Sequence, residues 1–319
     1  MFTIDYFSEI IEKAIAAMDF PAEPSGLYEP IRYTLDGGGK RLRPVLLMAS
    51  AEAFGAKAED VVKQALGIEM FHNFTLLHDD VMDNADMRRG RPTVHRRWNC
   101  STAILSGDAM LTLATRLVAD CPDIQLRGVL GLFNATAMEI YEGQQYDMDF
   151  ESLNDVAVER YLEMIRLKTS VLLACACRMG AMLAGADEAS CAAMYRYGEL
   201  LGLAFQLQDD YLDTYGDPAL FGKEIGGDII NEKKTWLWIN AMTEGREQMQ
   251  RVLDKKLTDY LKIKEVKDIY DSLDLPARSH SLIESYVEDA IAALDNAKIS
   301  AEARSFFVNL ANRTLSRAN

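Results

Sequence analysis

Aspartate recurs twice in this chain in one pattern, Asp79-Asp80-Val81-Met82-Asp83 and Asp209-Asp210-Tyr211-Leu212-Asp213. Each cluster follows an apolar run, Phe74-Thr75-Leu76-Leu77 in the first case and Leu203-Ala204-Phe205 in the second. In a helix, residues i and i+4 share a face, so Asp79 aligns with Asp83 and Asp209 with Asp213. Like charges at that spacing destabilise a helix by roughly 0.2–0.5 kcal/mol per pair. A chain that accepts this twice beside core-like sequence is expected to neutralise the charge with a cation. Ligands that are all oxygen, with no paired His or Cys, point to a hard ion, Mg²⁺. Magnesium on few carboxylates keeps waters and completes its shell with phosphate oxygens. A diphosphate is the natural partner.

The charge pattern supports an anionic partner. The formal net charge is −15, which argues against a general nucleic-acid binder, because affinity there comes from neutralising phosphates with Lys and Arg. The cations are instead local. Gly37-Gly38-Gly39-Lys40-Arg41-Leu42-Arg43-Pro44 sets three of them at a turn opening a helix, where backbone N–H groups also favour an anion. Arg88-Arg89-Gly90-Arg91-Pro92, with Arg96 and Arg97 beyond, follows the first acidic cluster directly. Arginine forks there can bind diphosphate oxygens bidentately.

The elements that position these groups read as helices almost throughout. Ile4, Phe7, Ile10, Ile11, Ala14, Ile15 and Met18 form an amphipathic stripe over 3–18, at the i, i+3, i+4, i+7 spacing. Pro21 and Pro24 end it, and Ser25 is placed to cap the next helix. Further helices are expected over 44–54, 59–82, 100–118, 124–146, 155–184, 189–215, 228–243, 246–262, 265–272, 279–296 and 301–317. The longest breaks, 84–98 and 216–227, each follow an aspartate cluster, where function resides in a helical scaffold. With no linker or low-complexity tract, residues 1–319 read as one all-α domain, its two central helices facing each other with their acidic ends at one mouth.

Composition is globular, 49% hydrophobic and 26% charged, with 8 Pro and 20 Gly, enough for a sizeable core. The five cysteines, Cys100, Cys121, Cys175, Cys177 and Cys191, form no C-x-x-C and read as small apolar residues of a reducing compartment. Asp5, Glu9 and Glu12 exclude a signal peptide. No stretch approaches the roughly 20 apolar residues of a membrane span. A soluble, cytoplasmic protein is expected.

At the level of motifs the sequence resembles the trans-prenyltransferases, the polyprenyl diphosphate synthases. Gly38-Gly39-Lys40-Arg41-Leu42-Arg43-Pro44 is similar to the family's G-G-K-R-L-R-P, and His72 lies seven residues before Asp79. Leu77-His78-Asp79-Asp80-Val81-Met82-Asp83 resembles the first aspartate-rich motif, continued by Arg88-Arg89-Gly90, Pro92-Thr93-Val94-His95 and Leu105-Ser106-Gly107-Asp108. Gly143-Gln144 with Asp147, then Lys168-Thr169-Ser170, match mid-chain motifs. Phe205-Gln206 with Asp209, Asp210 and Asp213 resembles the second, followed by Phe221-Gly222-Lys223, Gly227-Asp228 and Lys233-Lys234-Thr235.

That resemblance implies an isoprenoid synthase fold, a helical bundle around a central substrate cavity, acting as a homodimer. It also implies head-to-tail condensation of isopentenyl diphosphate with an allylic diphosphate, with three Mg²⁺ ions when substrate is bound. By that likeness Asp79, Asp83 and Asp209 are direct metal ligands, with Asp80, Asp210 and Asp213 supporting through water. Arg88, Lys168, Lys223 and Lys234 hold the allylic diphosphate, and Lys40, Arg43, His72 and Arg89 hold isopentenyl diphosphate. Thr169 and Gln206, with Lys168, face the reacting carbons. Arg313 and Arg317 either close over the diphosphate or end a helix.

Such chemistry suits the residues physically. Metal ions, Lys and Arg neutralise the charge growing on a departing diphosphate, and the allylic carbocation needs an apolar, water-poor cavity. The growing product is expected to meet residues one to two turns before Asp79, at about 1.5 Å of rise per residue: Phe74, Thr75 and, a turn further, Phe71. In the family an aromatic five positions before the motif limits the product to short chains. Thr75 supplies no second aromatic, and the first motif lacks the two extra residues frequent in bacterial C15 enzymes, which leans towards C20 and leaves C15 open. A class I terpene cyclase would lack the isopentenyl diphosphate group, and a silent subunit would have lost aspartates. A di-iron bundle needs two Glu-x-x-His motifs, and only Glu69-x-x-His72 is present.

Overall fold

The computed structural model describes residues 2–217 and 225–315. Helices dominate, as the periodicity predicts, and among the described residues the only strands are the two-residue pair Met87–Arg88 and Arg91–Pro92. Thr3 caps Ile4–Ala16, its hydroxyl accepting from the Tyr6 N–H at 3.2 Å. Ser25 does not cap the next helix: it is the first residue of Ser25–Leu35, Pro24 holds the cap position, and the Ser25 N–H donates to the Glu23 carboxylate at 3.0 Å. The described residues group into two compact units.

Unit one comprises residues 1–134, 175–192 and 298–303. Its Val62–Met82 helix carries the first aspartate cluster at its C-terminal end and packs along Cys100–Ala119. Val62–Met82 is buried over nearly its whole inner length, including Ile68, Met70, Phe71, Phe74 and Leu77, so its position is fixed by packing. Cys100–Ala119 is 20 residues long and its most apolar stretch has a mean hydropathy of 1.2, so by length and composition alone it would pass for a span. It also carries Asp108 and Arg116, and its Ile104 carbonyl lies 3.2 Å from His78 Nε2 on the neighbouring helix. A packed helix of this kind satisfies the same composition test.

Unit two comprises residues 135–174, 193–297 and 304–319. Here the expected 155–184 helix is interrupted: Val158–Ile165 passes into a π-turn, Arg166–Ser170, before Val171–Leu183. Other backbones approach this turn closely. A Cβ on Gly143 would sit 2.4 Å from the Lys168 nitrogen, and one on Gly202 would sit 2.5 Å from Ser170 Cα. Two neighbouring helices therefore press on the turn through glycines, and π-turns of this kind recur at functional sites. Arg166 fixes its start, binding Glu163 bidentately at 2.8 and 2.9 Å and Glu199 at 3.2 Å. The second cluster ends Glu188–Tyr215. The expected 228–243 helix is split into Gly227–Ile230 and Trp236–Glu244, and the 246–262 helix stops at Leu253 before Asp259–Ser272 begins.

Candidate active site

In unit one the acidic helix end meets a cationic hairpin. The Asp83 N–H closes the last turn on the Asp79 carbonyl at 2.8 Å, which sets Asp79 and Asp83 on one face as expected. Asp80 points elsewhere. It is 5% exposed and accepts from Arg88 Nε at 2.6 Å. Burial raises its pKa, while Arg88 works in the opposite direction. Thus Arg88 is anchored to the acidic cluster, with the rest of its fork left to bind other groups.

The hairpin turn itself is Arg89-Gly90, with φ of 52° and 72° between the paired Arg88 and Arg91. Two positive φ values define the tight hairpin turn that matches strand twist. Arg89 occupies it without the glycine that the conformation favours, at a strain of roughly 1–3 kcal/mol. Its guanidinium donates to the Gly38 carbonyl, and a Cβ on Gly39 would lie 3.0 Å from that guanidinium. The Gly-rich turn is therefore shaped around Arg89.

Arg43 joins this group, its Nη1 3.2 Å from His72 Nε2. A guanidinium only donates, so Nε2 accepts and the imidazole is neutral. Burial, followed by Arg43, Arg89, Arg88 and Arg41, holds its pKa well below the usual histidine value. Lys40 is exposed beside them. A pocket here is lined by Tyr33, Asn73, Leu77, Asp80, Arg88 and Arg89 among others.

Arg41 corrects the three-cation reading of the Gly-Lys-Arg segment. It is 4% exposed and salt-bridged to Glu12 and Glu69, each at 2.7 Å, with its last nitrogen 2.8 Å from the Leu35 carbonyl. This arginine ties three helices together. Glu69 also accepts from Asn73 Nδ2 at 3.0 Å, while the buried Asn73 Oδ1 has no partner.

The chain-length candidates lie on the same Val62–Met82 helix. Phe71 and Phe74 are buried and meet at 5.5 Å between ring centroids, with Phe74 edge-on to His78 at 4.8 Å. Thr75 is partly exposed and donates to the His72 carbonyl at 2.8 Å.

In unit two the acidic helix end is organised differently. Asp210 is 6% exposed and accepts at both oxygens, from Tyr161 Oη at 2.6 Å and Gln206 Nε2 at 2.9 Å. Thr169, carried by the π-turn, donates to Gln206 Oε1 at 2.9 Å. Lys168 on that turn pairs with Asp147 at 2.5 Å. Asp213 anchors the returning chain: its carbonyl accepts from the Gly226 N–H at 2.6 Å and its carboxylate from the Asp228 N–H at 2.9 Å.

Asp228 and Lys233 complete this acidic group. Burial pushes the Asp228 carboxyl up to about 7, with Asp210, Asp213 and Asp147 adding to the rise and Lys233 opposing it. The same carboxylates, Asp210 first, raise the Lys233 ammonium against the effect of burial. Lys233, 3.8 Å from Asp228, is thus the cation set among the acids, next in sequence to the expected Lys234. Lys223 and Arg317 lie outside the described residues, and Arg313 is exposed in the last turn of Ala301–Leu315.

Tyr161, Asp228 and Lys233 were not among the expected site residues. The latter two stood inside recognisable motifs, but Asp147, Asp210 and Asp213, which act on both, come from 15 or more positions away in sequence. No pattern in the sequence signals that Tyr161 meets Asp210.

Among the described residues no group of three His, Cys, Asp or Glu closes into a metal cage. Carboxylates set a turn apart at each helix end suit magnesium that keeps waters and shares phosphate oxygens. An all-α protein with two such ends, each beside cations, suits a diphosphate handled with a divalent metal.

The chain belongs to the polyprenyl synthetase family, whose model matches residues 24–273. It is 41% identical over 240 residues to the geranylgeranyl diphosphate synthase of Methanosarcina mazei, covering 75% of this chain and 74% of that one. A crystal structure of a geranylgeranyl pyrophosphate synthase matches with a TM-score of 0.95 and 42% identity, over 100% of both chains. The geranylgeranyl pyrophosphate synthase of Corynebacterium glutamicum, in complex with isoprenyl diphosphate and magnesium, matches at 0.83 and 29%, over 98% and 97%. The fold is the all-α isoprenoid synthase fold.

Proposed function

We propose that this chain is a trans-prenyltransferase that condenses isopentenyl diphosphate head-to-tail with allylic diphosphates into a short all-trans prenyl diphosphate, C20 in preference to C15. The observation that carries this reading is that both acidic helix ends are complete and each stands beside cations, with Arg43, His72 and Arg89 forming a separate anion-binding group. A class I terpene cyclase has no use for that second anion-binding group, and a silent subunit has no use for both aspartate clusters. Relatives named for geranylgeranyl diphosphate synthesis support the C20 product.

Asp79, Asp83 and Asp209 would hold magnesium directly, and Asp80 and Asp213 would support it, for three ions in all, whereas Asp210 is engaged by Tyr161 and Gln206. When bound, the metal neutralises the charge that grows on the departing diphosphate. Arg88, Lys168, Lys223 and Lys234 take the allylic diphosphate, and Lys40, Arg43, His72 and Arg89 take isopentenyl diphosphate. The Thr169 and Gln206 oxygens face the allylic cation as fixed dipoles. The proton released after the new C–C bond forms goes to the departing diphosphate. Phe74, Thr75 and Phe71 set product length.

The chain acts as one catalytic domain and as a homodimer. Exposed apolar side chains support the dimer: Ile104 and Leu105 on one helix, Met138, Tyr141 and Met148 on another. A cytoplasmic setting is supported by five cysteines outside any disulfide, three of them buried. Asp79→Ala tests the metal assignment. Turnover is expected to fall by about 100-fold or more, as when a major electrostatic contribution to the transition state is removed, with folding retained. Near-normal turnover would sink the assignment.

A further inference from the structure

Both oxygens of Asp210 are committed to protein donors, Tyr161 Oη and Gln206 Nε2. A carboxylate only accepts, so Gln206 turns its NH₂ towards Asp210 and its carbonyl oxygen towards Thr169. Thr169 must then donate, as it does at 2.9 Å, and the lone pairs of its hydroxyl face away from Gln206. Each dipole direction in the series follows from the one before. Tyr161 starts it: the ring is 1% exposed, and its phenol O–H donates to the Asp210 carboxylate, which can only accept, at 2.6 Å. The same short segment supplies both ends of the series, Tyr161 from Val158–Ile165 and Thr169 from the π-turn that follows.

We propose that Tyr161 is a positioning residue. Acting through Asp210, it sets the direction of the Gln206 and Thr169 oxygen dipoles, and Asp210 serves this relay in place of the metal. The inference rests on the prenyltransferase reading above. It concerns which job one aspartate does within that reaction.

The test is steady-state kinetics of Tyr161→Phe, which removes one oxygen from a buried ring, beside the wild-type chain. Failure of the wild type to elongate any allylic primer would remove the prenyltransferase reading itself. With an active wild type, Tyr161→Phe is expected to lower kcat about tenfold. KM for both diphosphates and the half-saturating Mg²⁺ concentration stay within about twofold on the same argument. In a Thr169→Val background the same change is expected to cause no further loss, because its route of action is already gone. An unchanged kcat, an independent loss in the double variant, or a raised Mg²⁺ requirement with kcat recovered at high Mg²⁺ would each overturn the relay. If Tyr161→Phe lowers the melting temperature too far for assay, Asp210→Asn takes its place. It preserves shape but lets Gln206 reverse, so kcat is expected to fall at unchanged Mg²⁺ half-saturation, and a shifted half-saturation overturns the proposal.

Discussion

Arg41 and Arg43 are two residues apart and carry the same charge, yet burial gives them different work. Arg41 is enclosed with Glu12 and Glu69, so Arg41→Ala leaves Glu69 as an unpaired buried charge, a loss of about 3–5 kcal/mol. Thermal or urea unfolding should show it. Arg43→Ala is expected to leave stability nearly unchanged and to raise KM for isopentenyl diphosphate roughly 10- to 100-fold, the worth of one charge-assisted hydrogen bond. His72 supplies a pH signature. Its folded pKa lies well below 6.5, so below that value the unfolded chain takes up a proton that the folded chain refuses. Stability therefore falls as pH drops, and melting temperatures at about pH 7.5 and about pH 5 should differ less in His72→Gln than in the wild type. Sequence placed Arg41 and Arg43 in one basic segment, and the family resemblance added His72 to the same group. It could not show that Arg41 faces inward, because its partners lie 29 and 28 positions away.

Among the elements, the Val62–Met82 helix converts sequence spacing into direction. At about 100° per residue, Thr75 lies roughly 40° around the helix from Asp79, Phe71 roughly 80° and Phe74 roughly 140°. Thr75 is therefore nearest to the Asp79 face, and Thr75→Phe is expected to shift the product from C20 to C15. Phe74→Ala opens space beside Phe71 and is expected to lengthen the product; an unchanged distribution by mass spectrometry would mean that Phe74 does not set the floor. This helix was legible because its periodicity and its charged end both appear in the sequence. The π-turn was not: apolar spacing runs through 155–184 without a break, and nothing local marks the close approach of the Gly143 and Gly202 backbones to it. Gly202→Ala, which drives a methyl to 2.5 Å from Ser170 Cα, should cost about 1–3 kcal/mol and disturb Thr169 and Lys168 together.

For the whole molecule, an excess of negative charge coexists with a reaction on anions because the cations are concentrated at the acidic helix ends. The all-α fold and both clusters could be read from one sequence, since helical period and the D-D-x-x-D spacing are local signals. The relay through Tyr161 and the acidic group around Lys233 could not, because they depend on which helices pack together. Chelation of divalent metal is expected to abolish turnover, and added Mg²⁺ to restore it, while an activity indifferent to chelator would contradict the carboxylate assignments. The most direct measurement is incubation of the purified chain with isopentenyl diphosphate, Mg²⁺ and, separately, C5, C10 and C15 allylic diphosphates, with products read by mass spectrometry. The account predicts elongation from these primers to a dominant C20 diphosphate; no elongation with any primer would contradict it.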